Sequence, residues 1–328
     1  MNTKQLDIIL YNYNNNKMDD ILKNICEKFN ISQSYLENLV NKSSNKIILK
    51  TINERYKFDH DLKYEYLNGE KRIKNNEYLI DVFDNYHLFS DNKLNEDLNK
   101  YPHIKPQKNF TQNLANNIDE FKLRLDKITN NQLKHLKWNK KIVIAGGIIN
   151  SAFTGKNDHC DNSDIDIFIV DEVSEEEFKT IVEETYNSLS YNKIIYKTST
   201  SINILANKPY RPVQIPLKIT YDLTQLLLFF DLDCAAIAYD GEKLYTLPRF
   251  IDCINTGYNM LDVMRATKKI YIDRINKYTL RGYGFLISPF NNTKILKNEL
   301  DDIILKLGEI NKIEYHDDII NSDTNNIE

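Results

Sequence analysis

Two stretches decide the fold of this chain: Lys141-Ile142-Val143-Ile144-Ala145-Gly146-Gly147-Ile148-Ile149-Asn150 and Ser163-Asp164-Ile165-Asp166-Ile167. The first is a short β-rich run that breaks at two glycines. An apolar segment, Ile148 to Phe153, follows and stops at Gly155, as a helix with a glycine end does. In the second stretch Ile165, Ile167 and Ile169 alternate with Asp164, Asp166 and Phe168, which gives a strand. Side chains two apart on a strand project the same way, so Asp164 and Asp166 stand together. Parallel carboxylates repel unless a cation joins them. A pair of divalent ions about 3.5–4 Å apart is the usual device for in-line phosphoryl transfer, and magnesium suits an all-oxygen carboxylate site. The glycines allow backbone to approach a triphosphate at a helix N-terminus, where the dipole favours anions. An Asp-x-Asp strand by itself is an ordinary solvent-facing strand; the glycine pair before a short helix gives it its context.

Working outward, breakers divide the chain unevenly. One glycine, Gly69, and two prolines, Pro102 and Pro106, precede Gly146. Few breakers favour helices, and Met18, Ile21, Leu22, Ile25 and Phe29, then Ile31, Tyr35, Leu36 and Leu39, recur at helical spacing. Residues 100–109 read as a linker. Ile118 to Ile128 predicts a helix. Ser174 with Glu177 is a capping box, which predicts a helix from Glu175 to about Leu189. Ser201 to Ala206 and Val213 to Thr220 read as strands around a turn at Pro209. Asp222 to Phe230 reads as a helix and Leu232 to Tyr239 as a strand ending at Asp240-Gly241. Pro248 opens a helix that Gly257 closes. Met260 to Tyr278 reads as a longer helix, with a strand near Tyr283 to Ile287. Strands alternating with helices predict a mixed α/β (α+β) domain, and the hairpin argues against a fully parallel sheet.

Gly146-Gly147, the short helix to Thr154-Gly155 and Asp164-Ile165-Asp166 resemble the core of the polymerase-β-like nucleotidyltransferases. Leu133 to Trp138, Arg211-Pro212-Val213-Gln214-Ile215, Phe230-Asp231-Leu232-Asp233-Cys234, Tyr239-Asp240-Gly241 and Arg274 to Tyr283 resemble a branch found in large DNA viruses and in fungal ankyrin-associated proteins. The resemblance covers about residues 109–290. It implies a nucleotidyltransferase domain over 109–290, after a mostly helical N-terminal region, 1–108, and before a C-terminal helix and polar tail, 291–328. By the same resemblance Asp164 and Asp166 would bind two magnesium ions, and Gly146 and Gly147 would contact the phosphates of a nucleoside triphosphate. The family often carries serine where Gly147 stands. Its third carboxylate falls on the strand Val213 to Thr220, at the place Gln214 holds. Glutamine coordinates through oxygen but brings no charge and is no general base. Asp231 and Asp233, two apart on a presumed neighbouring strand, are the substitutes; otherwise one caps a helix and the other faces solvent.

Arg274, Lys277 and Arg281 fall at i, i+3 and i+7, a basic stripe suited to triphosphate or a nucleic-acid backbone. Tyr271, Tyr278 and Tyr283 interleave with it and could stack on a base or pack on the sheet. Asp158-His159-Cys160-Asp161 reads as a surface loop, because adjacent residues seldom converge on one metal. Arg249 is either a basic residue near the site or a helix-start position, and Trp138 reads as a packing residue.

Composition bounds the rest. The 328 residues carry a net charge of -4, against a general nucleic-acid coat. About 40 asparagines, with heavy Ile, Lys and Tyr use, fit an AT-rich source. Met1 is not followed by an apolar signal segment, and the best apolar run, Leu223 to Tyr239, is interrupted by Asp231 and Asp233, so no membrane span is expected. Cys26, Cys160, Cys234 and Cys253 lie far apart, which fits a reducing, intracellular, cytoplasmic setting such as an infected host cell. The expected activity is transfer of a nucleotidyl group from an NTP to a hydroxyl of RNA, protein or a small molecule. The alternative is a catalytically silent protein of the same fold, acting as an interaction or nucleic-acid-binding module, with a protein partner held by the N-terminal helices.

Overall fold

A computed structural model describes residues 59, 62–63, 79–89, 103–109, 112–155, 163–261 and 269–286. The helices expected before residue 59, the Asp158–Asp161 loop and the C-terminal segment 291–328 lie outside the described residues. The architecture is mixed α+β. Its strands are β1 (Ile80–Asp81), β2 (His103–Ile104), β3 (Ile142–Ala145), β4 (Ile165–Ile169), β5 (Lys193–Lys197), β6 (Ser201–Ala206), β7 (Val213–Pro216), β8 (Ile237–Tyr239), β9 (Leu244–Thr246), β10 (Tyr258–Met260) and β11 (Gly284–Leu286). The α-helices are α1 (Ile118–Ile128), α2 (Gly147–Thr154), α3 (Glu175–Ser188), α4 (Leu223–Leu228), α5 (Pro248–Thr256) and α6 (Lys269–Thr279).

The main sheet has eight strands in the order β1-β9-β8-β3-β4-β7-β6-β5. Neighbours run antiparallel except β4 and β7, which are parallel. A parallel neighbour needs a crossover, and here α3 and the β5–β6 hairpin supply it. A second sheet, β10-β11-β2, pairs β10 parallel and β2 antiparallel to β11.

Local chemistry accounts for the helix starts. Asn117 accepts from the Glu120 amide, Ser174 from the Glu177 amide and Asp222 from the Gln225 amide, each satisfying one free N–H of a first turn. In β3 all four residues are buried. Ile142 and Ile144 pack with Phe121, Phe153 and Phe250 in one cluster, while Val143 and Ala145 pack with Leu223, Leu227 and Leu247 in another. The sheet is thus covered on both faces. Leu62 is buried in the second cluster, so the N-terminal region touches the domain there.

Several expectations are corrected. The presumed linker 100–109 contains β2, whose His103 and Ile104 are buried. Leu232 to Tyr239 is not one strand: a 3-10 turn at Asp233–Ala235 precedes β8. Tyr258–Met260 begins no helix but forms β10. Such three-residue pairings are fixed by their partners rather than by sequence pattern. β5, not foreseen, is the outer strand; Ile194 is 66% exposed and Tyr196 45%.

Trp138 packs edge-on against Tyr239, ring centroids 5.2 Å apart. Gly241 lies beneath it in the β8–β9 turn at φ +100, and a methyl group there would come within 2.5 Å of the indole. Gly241→Ala should therefore lower stability by about 2–3 kcal/mol, combining backbone strain and overpacking, as read by urea unfolding.

Candidate active site

Asp166 lies on β4 and Asp164 just ahead of it, at the strand end beside Gly146. Gly146 precedes α2 with φ +91, and a methyl group at its Cα would sit 3.3 Å from the Phe230 ring and 3.9 Å from Asp166 Oδ2. The Asp166 carboxylate thus faces the glycine turn at the start of a buried helix. Burial, reinforced by the charge of Asp164, pushes the Asp166 carboxyl up to about 7, against the opposing pull of Arg274 and Lys277. Burial also raises Asp164, opposed by Lys277 and Arg211. Two carboxyls whose anionic forms are disfavoured by burial are stabilised as anions by a cation between them.

Gly147 meets the other side of the site. A methyl group there would fall 2.8 Å from the Tyr278 hydroxyl and 3.2 Å from Arg281 Nη1, so the side-chain-free residue makes room for both. Arg281 lies beyond the end of α6 and is buried, with Nη2 donating to Ser163 Oγ at 2.7 Å. The basic stripe is corrected accordingly: Arg274 and Lys277 sit on α6, whereas Arg281 braces Ser163 against the glycine turn. Tyr271, Tyr278 and Tyr283 are buried in the core and are not presented to a base.

Gln214 is the register partner of Asp166 across the parallel β4–β7 pair. Laterally paired residues share a face, so the glutamine stands beside the carboxylate. Its amide nitrogen donates to Ser201 Oγ at 3.0 Å and to Asn203 Oδ1 at 3.2 Å. The two substitute carboxylates part company, because the backbone between them turns instead of extending. Asp231 Oδ2 accepts from Arg274 Nη1 at 2.7 Å, and its Oδ1 is buried without a hydrogen-bond partner. Asp233 points elsewhere: Oδ2 accepts from the Met260 amide at 2.6 Å and Oδ1 pairs with Arg249 at 3.3 Å. Arg249 also donates to the carbonyls of Leu227 and Phe230, closing the C-terminal end of α4. Asp233 and Arg249 are thus a buried brace behind the site. Among the described residues no group of three or more His, Cys, Asp or Glu side chains is placed to hold a metal ion.

Sequence reasoning quoted Arg211 and Phe230 only within stretches that carry the resemblance and gave neither a role. Arg211 is buried, donates to the carbonyls of Ile128 and Ser163, and so ties the end of α1 to the residue before Asp164. Its signal was present: an arginine beside Pro212, immediately before a short strand. Phe230 edges the glycine turn and packs on Phe168 at 5.7 Å; an aromatic in an apolar run carries no such signal.

The family model described as Gad2, Gabija anti-defense 2 family protein, matches residues 112–257. A curated relative, an uncharacterized protein (R883) of Acanthamoeba polyphaga mimivirus, is 27% identical over 223 residues, covering 60% of this chain and 45% of the relative. The chain thus spans about half the length of that relative. Two solved structures are distantly similar. A complex of CCA-adding enzyme with CTP is 14% identical at a TM-score of 0.38, covering 58% of this chain and 46% of that one. A tRNA-processing enzyme in an apo form is 12% identical at a TM-score of 0.36, covering 63% of each chain. Both are too distant to assign a role to any residue. No described helix is long and apolar enough to cross a membrane.

Proposed function

We propose that this chain is a metal-dependent nucleotidyltransferase that moves a nucleotidyl group from an NTP to an acceptor hydroxyl. The observation that carries the reading is the approach of the Asp166 carboxylate to the glycine turn ahead of α2, with Asp164 close enough for its charge to raise Asp166. Asp164 and Asp166 fit a divalent ion: two oxygen donors of like charge, partly withdrawn from water. When bound, the ion supplies charge neutralisation at the triphosphate and polarises the phosphoryl oxygens. The chain's own residues bind and orient. The first amides of α2 lie where a triphosphate finds free N–H donors and the positive end of a dipole. Lys277 and Arg274, on α6, lie within electrostatic reach of both the carboxylates and an incoming phosphate. The acceptor hydroxyl gives up its proton to solvent, and its oxygen bonds to the α-phosphorus as the bond to the departing pyrophosphate oxygen breaks.

RNA, protein and small molecules all offer such a hydroxyl. The Gad2 description, of a family directed against the Gabija defence, favours an acceptor belonging to an opposing defence system. A catalytically silent reading is favoured by one observation, the neutral Gln214 beside Asp166. Incubation with each α-labelled NTP, magnesium and mixed RNA and protein acceptors separates the two. Transfer of label with release of pyrophosphate is the expected result. Absence of transfer to every acceptor, with the protein folded, supports the silent reading.

A further inference from the structure

Among the described residues, the donor set around Asp166 falls short of what two ions need. Metal clusters are held chiefly by the charge and number of their oxygen ligands. Asp164 and Asp166 bring two negative charges. Gln214, the register partner of Asp166, brings none, and its amide nitrogen donates to β6, to Ser201 Oγ and Asn203 Oδ1. The remaining amide oxygen is a weak, neutral donor. Asp231 is held by the Arg274 guanidinium, and Asp233 is spent on Arg249 and the Met260 amide. No third acidic, His or Cys side chain completes a cluster among the described residues. A cation already stands nearby as well: Arg274, fixed by Asp231, also interacts with Asp166. A second divalent ion would meet both a ligand deficit and this guanidinium.

We infer that the Asp164–Asp166 pair holds one divalent cation rather than two, and that the neutral Gln214 on the adjoining strand is what sets that number. The inference rests on the proposed nucleotidyltransferase site, and it departs from the two-ion arrangement that the sequence resemblance implies. The two carboxylates are enough protein ligands for a single ion, whose remaining positions are filled by water or phosphate oxygens.

The test counts ions instead of measuring turnover. Manganese is titrated into the metal-free protein, without nucleotide, and free manganese is read by electron paramagnetic resonance. One ion per chain is expected for the wild type, and none at this site for Asp164→Ala combined with Asp166→Ala. Gln214→Asp should raise the count from one to two. Gln214→Glu, which keeps the side-chain length, is measured in parallel in case the shorter residue unsettles β7; circular dichroism checks the fold of each. Two ions in the wild type, or an unchanged count of one in both folded Gln214 variants, overturns the inference while leaving a metal-dependent enzyme in place. No ion in the wild type removes the proposed function itself, which makes the two failures distinguishable.

Discussion

Asp166→Ala is expected to lower NTP turnover by about 10²–10³-fold or more, the scale on which loss of one preorganised electrostatic group acts. The same residue gives a pH signature in the metal-free protein. Its carboxyl is raised from the ordinary 3.8 to about 7 by burial and by the charge of Asp164. Between those values the folded chain keeps a proton that the unfolded chain has released. Stability therefore falls as pH rises through that window and levels off above about 7. Asp166→Asn should remove this slope, so the variant should gain on the wild type most at pH 8 and least at pH 4. Chemical denaturation at both pH values, with chelator present, provides the measurement. An equal slope in the two proteins would contradict the placement of Asp166, and undiminished turnover in Asp166→Ala would move the chemistry elsewhere.

Asp233 should give the other large effect, on folding. Its carboxylate joins Arg249 and the Met260 amide with a side chain only 7% exposed. Removing one partner of a buried ion pair costs about 3–5 kcal/mol where the other charge is left uncompensated; Asp59, which also interacts with Arg249, shares that charge and places the expected loss at the lower end, still a large share of the roughly 5–15 kcal/mol that holds a domain together. Asp233→Ala should therefore unfold at much lower denaturant. Asp231→Ala should cost less, since its partner Arg274 is 40% exposed and can be rehydrated. If Asp233→Ala spared stability and abolished turnover, the brace would instead be part of the chemistry.

These two aspartates also mark how far the sequence could be read. β4 was legible because its isoleucines alternate without interruption, and α3 because Ser174 and Glu177 form a capping pair. The place of Gln214 came from the family resemblance, and the parallel β4–β7 register sets it beside Asp166. Residues 230–235 defeated the same logic. Leu232 and Cys234 alternate with Asp231 and Asp233 just as a strand would. What bends the chain is long-range: Asn259 accepts from the Cys234 amide, and Asp233 accepts from the Met260 amide. No local pattern encodes a partner about 25 residues away. Arg281 was misread for a similar reason. Its spacing continues the stripe of Arg274 and Lys277, but α6 has already ended at Thr279, and the side chain turns in to Ser163.

The outer rim of the sheet has a consequence for how copies of the chain behave together. β5 is the last strand of the main sheet, so one side of its backbone has no ladder partner among the described residues, and its Ile194-Ile195-Tyr196 centre is exposed. An apolar open edge is a template for pairing with another chain. The sequence of this strand is bracketed by Lys193 and Lys197. Two copies zipped antiparallel about Ile195 would set Lys193 of one against Lys197 of the other, at both ends of the junction. Like charges directly opposite each other destabilise such a pair. The lysines thus act as a charge lock on an otherwise adhesive rim, and dissolved salt, by screening them, loosens it.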